Sequence, residues 1–443
     1  MNKWLPEILI CPLTGSGLAC EALEYSGEEV EFGVLTGDGG EYPIVAGIPI
    51  LKSGQSEVVA LLRAGRFEVA TAIACAMVKY TPVLSHVMQS TRPLRRLRRF
   101  SRAVESRLRY KWFAGVARDL SEALCSGTAE QLLRLYYRSW GSDSIEAYYY
   151  NLCRFGMPGQ FVAQAYCHSL PPQQGLILDH SCGAGHLTWG LIEAVAPAQV
   201  VGQDISFFSL VIARHFTARK GWFICSDIGK LPFRDGVFTT VFNSDAFTNF
   251  SAKLGAFEEM SRCSKDDATI LLVWLRNRNR DHLYPNRPLT PEAYRRIVSR
   301  YRHRMIPDRQ TLDRFLHGMG VCAVEAIDPE LIKDALTLSL WIEKGDQPFP
   351  QGPILPEPVV PLQVPRVNPI YRLDGRNGQR EQYVLRFPTD FYAQEDREMK
   401  EYYLPSFELD ADQRAALNSG VGLGGVRHLV RRGAIVGMPE RYM

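Results

Sequence analysis

Between Ile177 and Val273, short apolar runs alternate with segments whose apolar residues recur every three or four positions. The short runs, bounded by polar and glycine positions, predict buried strands, and the three-and-four spacing predicts helices packed on them. Four strands are expected: Leu176–Asp179, Gln199–Asp204, Trp222–Ile228 and Val237–Phe242, with a helix over Leu187–Val195 after the first. This alternation predicts an α/β fold, a Rossmann-like, doubly wound, mostly parallel sheet. Around it the pattern changes. Residues 1–52 read as a small β-rich module, with strand-like runs at Glu29–Leu35 and Tyr42–Leu51 separated by Thr36-Gly37-Asp38-Gly39-Gly40. Residues 53–129 read as a helical segment, in which Leu94, Leu97, Phe100, Val104 and Leu108 keep helical spacing. The sheet domain occupies 130–345. Eight prolines between Pro348 and Pro369 mark 346–369 as an extended linker, and 370–443 is a C-terminal appendage dense in aromatics.

Composition adds limits. The chain has 443 residues, enough for two or three domains. Its net charge of +3 selects no partner. No run of about 18 uncharged apolar residues is present, so a membrane span is not expected. The start, MNKWLPEILICP, lacks the apolar core and cleavage site of a signal peptide. Ten cysteines without regular spacing suit reduced thiols and a cytoplasmic location.

The chemical signal lies in Leu176-Ile177-Leu178-Asp179-His180-Ser181-Cys182-Gly183-Ala184-Gly185-His186. A strand ends at an acid and passes through a glycine loop into a helix. In open parallel sheets, ligands bind beyond the carboxyl ends of the strands. Glycines at 183 and 185 let the backbone turn tightly and approach a ligand. The second strand ends in Asp204, 25 residues after Asp179, where a carboxylate can accept from ribose hydroxyls. The third ends in Asp227-Ile228, an acceptor beside an apolar side chain suited to an adenine ring. The fourth runs into Asn243-Ser244-Asp245 at the same cleft. Nicotinamide enzymes usually carry a third glycine to admit a pyrophosphate. Thr188 stands there in this chain.

The stretch Ile177–Val273 resembles the class I methyltransferases of the ubiquinone/menaquinone type. Asp179–Gly185, Val201–Ser206, Ser226–Phe233 and Phe257–Arg262 carry the likeness, which covers about a quarter of the chain. Ser181 replaces the usual first glycine, and Lys265-Asp266-Asp267 the usual Pro-Gly-Gly turn. The resemblance implies S-adenosylmethionine as cofactor, a sulfonium with no pyrophosphate. It implies a binding set of Asp179, Ser181, Gly183, Gly185, Asp204, Ile205, Asp227, Ile228 and Asn243. Residues 5–51 resemble the zinc-ribbon module at the front of some methyltransferases, through Leu9–Pro12 and Tyr42–Pro49. That module holds zinc with two Cys-x-x-Cys pairs. Here the pairs read Cys11…Thr14 and Thr36…Gly39, so a degenerate, zinc-free remnant is expected.

Candidates for substrate chemistry follow the fourth and fifth strands. Asp245 is a candidate for orienting or deprotonating an acceptor, or for capping a helix. Thr248 and Asn249 lie close by. Trp274, Arg276, His282 and Tyr284 follow the fifth strand, with His282 and Tyr284 as further catalytic candidates. Tyr136–Trp140 and Tyr148–Tyr150 are candidate lid aromatics, and Cys182 is read as structural. Arg92–Arg118 holds ten Lys/Arg against Glu105 alone, which reads as a solvated basic helix face or as a surface for an anionic partner.

Three functions stay open. The favoured one is methyl transfer to an oxygen or nitrogen of a small molecule, as in specialised metabolism, with a homodimer left open. The second is an RNA base methyltransferase, so nucleic acid is the less favoured partner. The third is a non-catalytic cofactor-binding protein.

Overall fold

The computed structural model describes residues 1–76, 117–138, 145–172, 175–195, 199–281, 287–356, 363–395 and 400–443. Among them, eleven strands join in one sheet. They are β1 (Ala19–Ser26), β2 (Glu29–Gly37), β3 (Gly40–Val45), β4 (Ile48–Leu51), β5 (Leu176–His180), β6 (Gln199–Asp204), β7 (Trp222–Ser226), β8 (Phe238–Ser244), β9 (Ser264–Arg276), β10 (Arg302–Pro307) and β11 (Thr337–Glu343). Their order is β1-β2-β3-β4-β7-β6-β5-β8-β9-β11-β10. The pairs from β4 to β9 are parallel, while β11 runs antiparallel to both β9 and β10.

The alternation of side chains along these strands feeds two separate cores. Ile177, Val200, Leu271 and Val273 face Phe161, Val162 and Ala165 of the helix Pro158–Ser169. Leu178, Val201, Ile270 and Leu272 face Phe247, Phe257 and Met260 on the other side. The chain works outward from β5 through β6 to β7, then crosses back to β8. Strand order therefore reverses between β5 and β8, which opens a crevice at their carboxyl ends.

Residues 1–52 do not stand apart from this sheet. The Tyr42–Leu51 run is a hairpin rather than one strand, because Ala46 and Gly47 take φ of 49° and 72° and turn the chain in two residues. The turn delivers β4 alongside β7, with Ile50 opposite Cys225 and Leu51 opposite Ser226. The module thus prolongs the parallel sheet at its β7 edge.

The proline-rich stretch is also less free than its composition predicts. Gln351 bridges to Cys322 and Ile354 to Met319. β12 (Val364–Val367) pairs with β16 (Ile435–Met438). Between them lies an antiparallel sheet of β13 (Tyr371–Asn377), β14 (Arg380–Leu385) and β15 (Ser406–Leu409). The tail's Tyr371, Tyr392, Phe407, Leu429 and Tyr442 share one core with Ile73, Leu132, Phe155 and Phe208. The aromatic density of 370–443 is therefore spent on docking.

All ten cysteines are free. Among the described residues, no helix is long and apolar enough to cross a membrane. The helical spacing at Leu94–Leu108 and most of the basic segment lie outside the described residues.

Candidate functional site

The loop after β5 turns three times through left-handed backbone, with φ of 59° at Ser181, 55° at Gly183 and 77° at Gly185. The two glycines do different work. A Cβ on Gly183 would meet nothing within 4 Å, so this backbone faces open space. A Cβ on Gly185 would lie 2.8 Å from the Cβ of Ala213, so that glycine lets two segments pack closely.

Asp204, at the end of β6, fixes the open side. Its Oδ2 accepts from the Gly183 N–H at 2.9 Å, and its Oδ1 from the Ser206 N–H at 2.7 Å. Burial raises its pKa despite these bonds. A carboxylate accepts about four hydrogen bonds, so each oxygen keeps capacity for a ligand hydroxyl. Lys52, just past β4, donates to the Ile205 carbonyl at 2.9 Å and places its charge near Asp204. Ile205 is 45% exposed. Asp227 is exposed and accepts no hydrogen bond among the described residues, and Ile228 is half-buried beside it. An open glycine backbone, a carboxylate with spare capacity, an exposed apolar side chain and a free acceptor fit a nucleoside with a flexible charged extension.

Asp179 plays another part. It is buried, and its Oδ2 accepts from the Thr188 hydroxyl at 2.6 Å. Burial pushes its pKa up to about 7. It braces the loop from behind. Thr188, which takes the third glycine position of dinucleotide enzymes, is explained by this bond.

Two more strand ends carry unusual backbone. Asp245 and Trp274, following β8 and at the end of β9, take φ of 62° and 63°. With Ser181 after β5, left-handed non-glycine residues thus stand at three neighbouring strand ends, and such strain concentrates at functional sites. The Trp274 ring lies 3.1 Å from where a Gly159 Cβ would be, so it packs closely on the helix Pro158–Ser169.

Asp245 sits among donors. Its Oδ2 accepts from Arg154 Nη1 at 3.2 Å and from the Tyr150 hydroxyl at 3.3 Å, and its Oδ1 lies 3.7 Å from Arg276 Nη2. The side chains of Arg154 and Arg276 are only 9% and 8% exposed. Arg276 is among the candidates after the fifth strand, whereas Arg154, which follows an aromatic run, has no signal in the sequence. Capping does not fall to the Asp245 side chain. Asn243 Oδ1 accepts from the Phe247 N–H at 2.9 Å, while Asn243 Nδ2 lies 3.0 Å from both the carbonyl and Nδ1 of His180. Fully buried and so engaged, Asn243 has no free donor for a ligand, and its part is structural.

His282 and Tyr284 lie outside the described residues. Thr248 is buried and accepts from the Arg276 N–H, and Asn249 is exposed. Of the candidate lid aromatics, Tyr150 reaches the crevice, Tyr148 bonds Glu130, and Tyr136 stacks on Phe208. Burial raises the Cys182 thiol well above its usual range, which suits the structural reading.

One contact has no signal in the sequence. The Tyr442 hydroxyl, next to the last residue, lies 2.7 Å from His186 Nε2 and donates to the Asn151 carbonyl at 3.0 Å. His186 begins the helix behind the glycine loop. Burial lowers its pKa to about 3, so the ring is neutral.

In the N-terminal module, the expected metal positions do meet. A Gly39 Cβ would lie 2.5 Å from Cys11 Sγ, and that thiol contacts the Tyr42 hydroxyl at 3.3 Å. No group of three or more His, Cys, Asp or Glu poised for a metal occurs among the described residues.

Residues 178–272 match the family model described as "Methyltransferase domain". This stretch is a methyltransferase domain. The matched stretch begins in β5 and ends in β9. The malonyl-[acyl-carrier protein] O-methyltransferase of Legionella pneumophila is 32% identical over 105 residues, 22% of this chain and 36% of that protein. The demethylmenaquinone methyltransferase of Thermus thermophilus is 33% identical over 114 residues, 25% of this chain and 52% of that protein. The match thus spans about a third to a half of these curated relatives' length. Among solved structures, the plantazolicin methyltransferase in complex with a triazolic desmethyl analogue and SAH is 15% identical. It has a TM-score of 0.37, over 49% of this chain and 96% of that one.

Proposed function

We propose that the chain is an S-adenosylmethionine-dependent methyltransferase acting on an oxygen or nitrogen of a small molecule. The open face of Gly183 beside Asp204 carries this reading. Gly183 and Ser181 would cradle the amino-acid end of the cofactor, Asp204 the ribose, and Ile205, Asp227 and Ile228 the adenine. The bound cofactor supplies an electrophilic methyl group on a sulfonium. The protein's own contribution is to hold the acceptor in line and keep water out, between Trp274, Tyr150 and Asp245. The relatives' names mention malonyl-[acyl-carrier protein] and demethylmenaquinone, two unlike acceptors, so likeness alone does not select one. Residues 1–52 we read as a zinc-free remnant whose present use is to place Lys52 beside the cofactor site. Native mass spectrometry of the chain mixed with equal S-adenosylhomocysteine and NAD tests the proposal. Retention of S-adenosylhomocysteine alone is expected, and retention of NAD alone rejects it.

A further inference from the structure

One cation at the crevice comes from outside the methyltransferase domain of residues 178–272. Parallel pairing of β4 with β7 sets Ile50 opposite Cys225 and Leu51 opposite Ser226. The next residues along, Lys52 and Asp227, leave the sheet together at its carboxyl edge. Lys52 Nζ then donates to the Ile205 carbonyl at 2.9 Å, one residue beyond Asp204. The Cys225 thiol lies beside the same ammonium. An ammonium has three donors. With the carbonyl and the thiol supplied, one remains.

The neighbouring carboxylate gains from this charge. Burial works against an ionised Asp204. Backbone N–H groups of Ser206, Gly183 and Ile205 favour the charged form, and so does Lys52. A ribose diol, however, asks for more than an acceptor. Each hydroxyl both donates and accepts, whereas an ionised carboxylate only accepts. Asp204 can take the hydroxyl hydrogens, which leaves the hydroxyl oxygens in want of a donor. The N–H groups of Gly183 and Ser206 are already spent on Asp204 itself. The strand order β4-β7-β6-β5 sets Lys52 across β6 from the glycine loop, away from the end assigned to the amino acid of the cofactor.

We propose that Lys52 binds the cofactor directly, its ammonium donating to a ribose hydroxyl whose hydrogen goes to Asp204. The proposal rests on the methyltransferase reading and adds to it a binding residue from another part of the chain. Residues 1–52 then do more than prolong the sheet, because they supply the donor side of the ribose contact. Cofactor binding accordingly requires β4 to be paired with β7.

The test is calorimetry on the full chain with S-adenosylhomocysteine and its 2′-deoxy and 3′-deoxy forms. Lys52→Met should weaken S-adenosylhomocysteine about ten-fold, the size of one charged hydrogen bond. For the deoxy form that lacks the contacted hydroxyl, Lys52→Met should cost nothing further. Lys52→Arg, which keeps a charge and donors, should recover part of the loss. An unchanged Kd in Lys52→Met overturns the proposal. So does a loss that persists in full with both deoxy forms, which would mean that Lys52 acts by holding Ile205 in place. Failure of the wild type to bind S-adenosylhomocysteine is a separate result, which removes the methyltransferase reading beneath the proposal.

Discussion

Replacing Tyr442 with Phe isolates the contact between the C-terminal tail and the cofactor loop. Tyr442 is fully buried, and its ring packs edge-on against Phe155 at 4.8 Å and His186 at 5.6 Å. Phe keeps that packing and removes only the hydroxyl. Two hydrogen bonds disappear, to His186 Nε2 and to the Asn151 carbonyl. Those partners still face each other at 3.0 Å, so neither is left wholly unpaired. The net cost should be about 1–2 kcal/mol, two buried bonds partly compensated. Tyr442→Ala also leaves a cavity and should cost about 3–5 kcal/mol, as for other large aromatics. Urea unfolding measures both, with the slope compared to confirm that the native state is otherwise the same. Because His186 begins the helix behind Gly183 and Gly185, Tyr442→Phe should also weaken S-adenosylhomocysteine binding. A change under about 0.3 kcal/mol for Tyr442→Phe, below the range for even one buried hydrogen bond, would refute the reasoning.

Other consequences follow from the buried groups and the glycine loop. Burial pushes the pKa of Asp308 up to about 7, so it holds a proton in the folded chain that it releases on unfolding at neutral pH. Its contribution is therefore lost as pH rises. Relative to Asp308→Asn, the wild type should lose about 1.4 kcal/mol per pH unit between roughly pH 4 and 7 and nothing further above that. Urea midpoints for both proteins across that range check this, and parallel curves would contradict it. Gly183→Ala should fold with a cost of about 1–2 kcal/mol for its left-handed backbone and weaken cofactor binding. Gly185→Ala should cost more, because its Cβ meets Ala213, and circular dichroism melts will rank the two. Metal analysis of the purified chain should find no stoichiometric zinc. Zinc that survives mild chelation would show that Cys11 has found other ligands.

The parallel strands can be read from the chain because each is a continuous apolar run ended by an acid or a glycine loop. The pattern places β6 to the residue, and β7 and β8 within two residues at either end. The cofactor loop is legible for the same reason, since short-range spacing carries it. Contacts between distant segments are not. Nothing local in Ile48–Leu51 says that it will pair with Cys225 and Ser226, and no pattern in Glu440-Arg441-Tyr442 points to His186. Arg276 can be picked out by its place after the fifth strand, but Arg154 stays hidden because a buried arginine looks like any other until its counter-charge is placed beside it. The position of Asn243 near the carboxyl end of β8 suggests a place at the ligand, but its amide turns inward to His180 and Phe247. Lys265-Asp266-Asp267 reads as a turn, and it is the exposed start of β9, inside the register shift where pairing with β8 jumps from Phe238–Ser264 to Thr240–Thr269.

Binding of S-adenosylmethionine in the crevice is decided by calorimetry with S-adenosylhomocysteine on wild type and Asp227→Ala. Asp227 is exposed and bonded to nothing among the described residues, so its removal should leave stability unchanged. One molecule should bind per wild-type chain, with a loss of about 1–3 kcal/mol in Asp227→Ala, the cost of leaving a ligand donor unpaired. No binding to the wild type, or equal affinity in the two proteins, would contradict it.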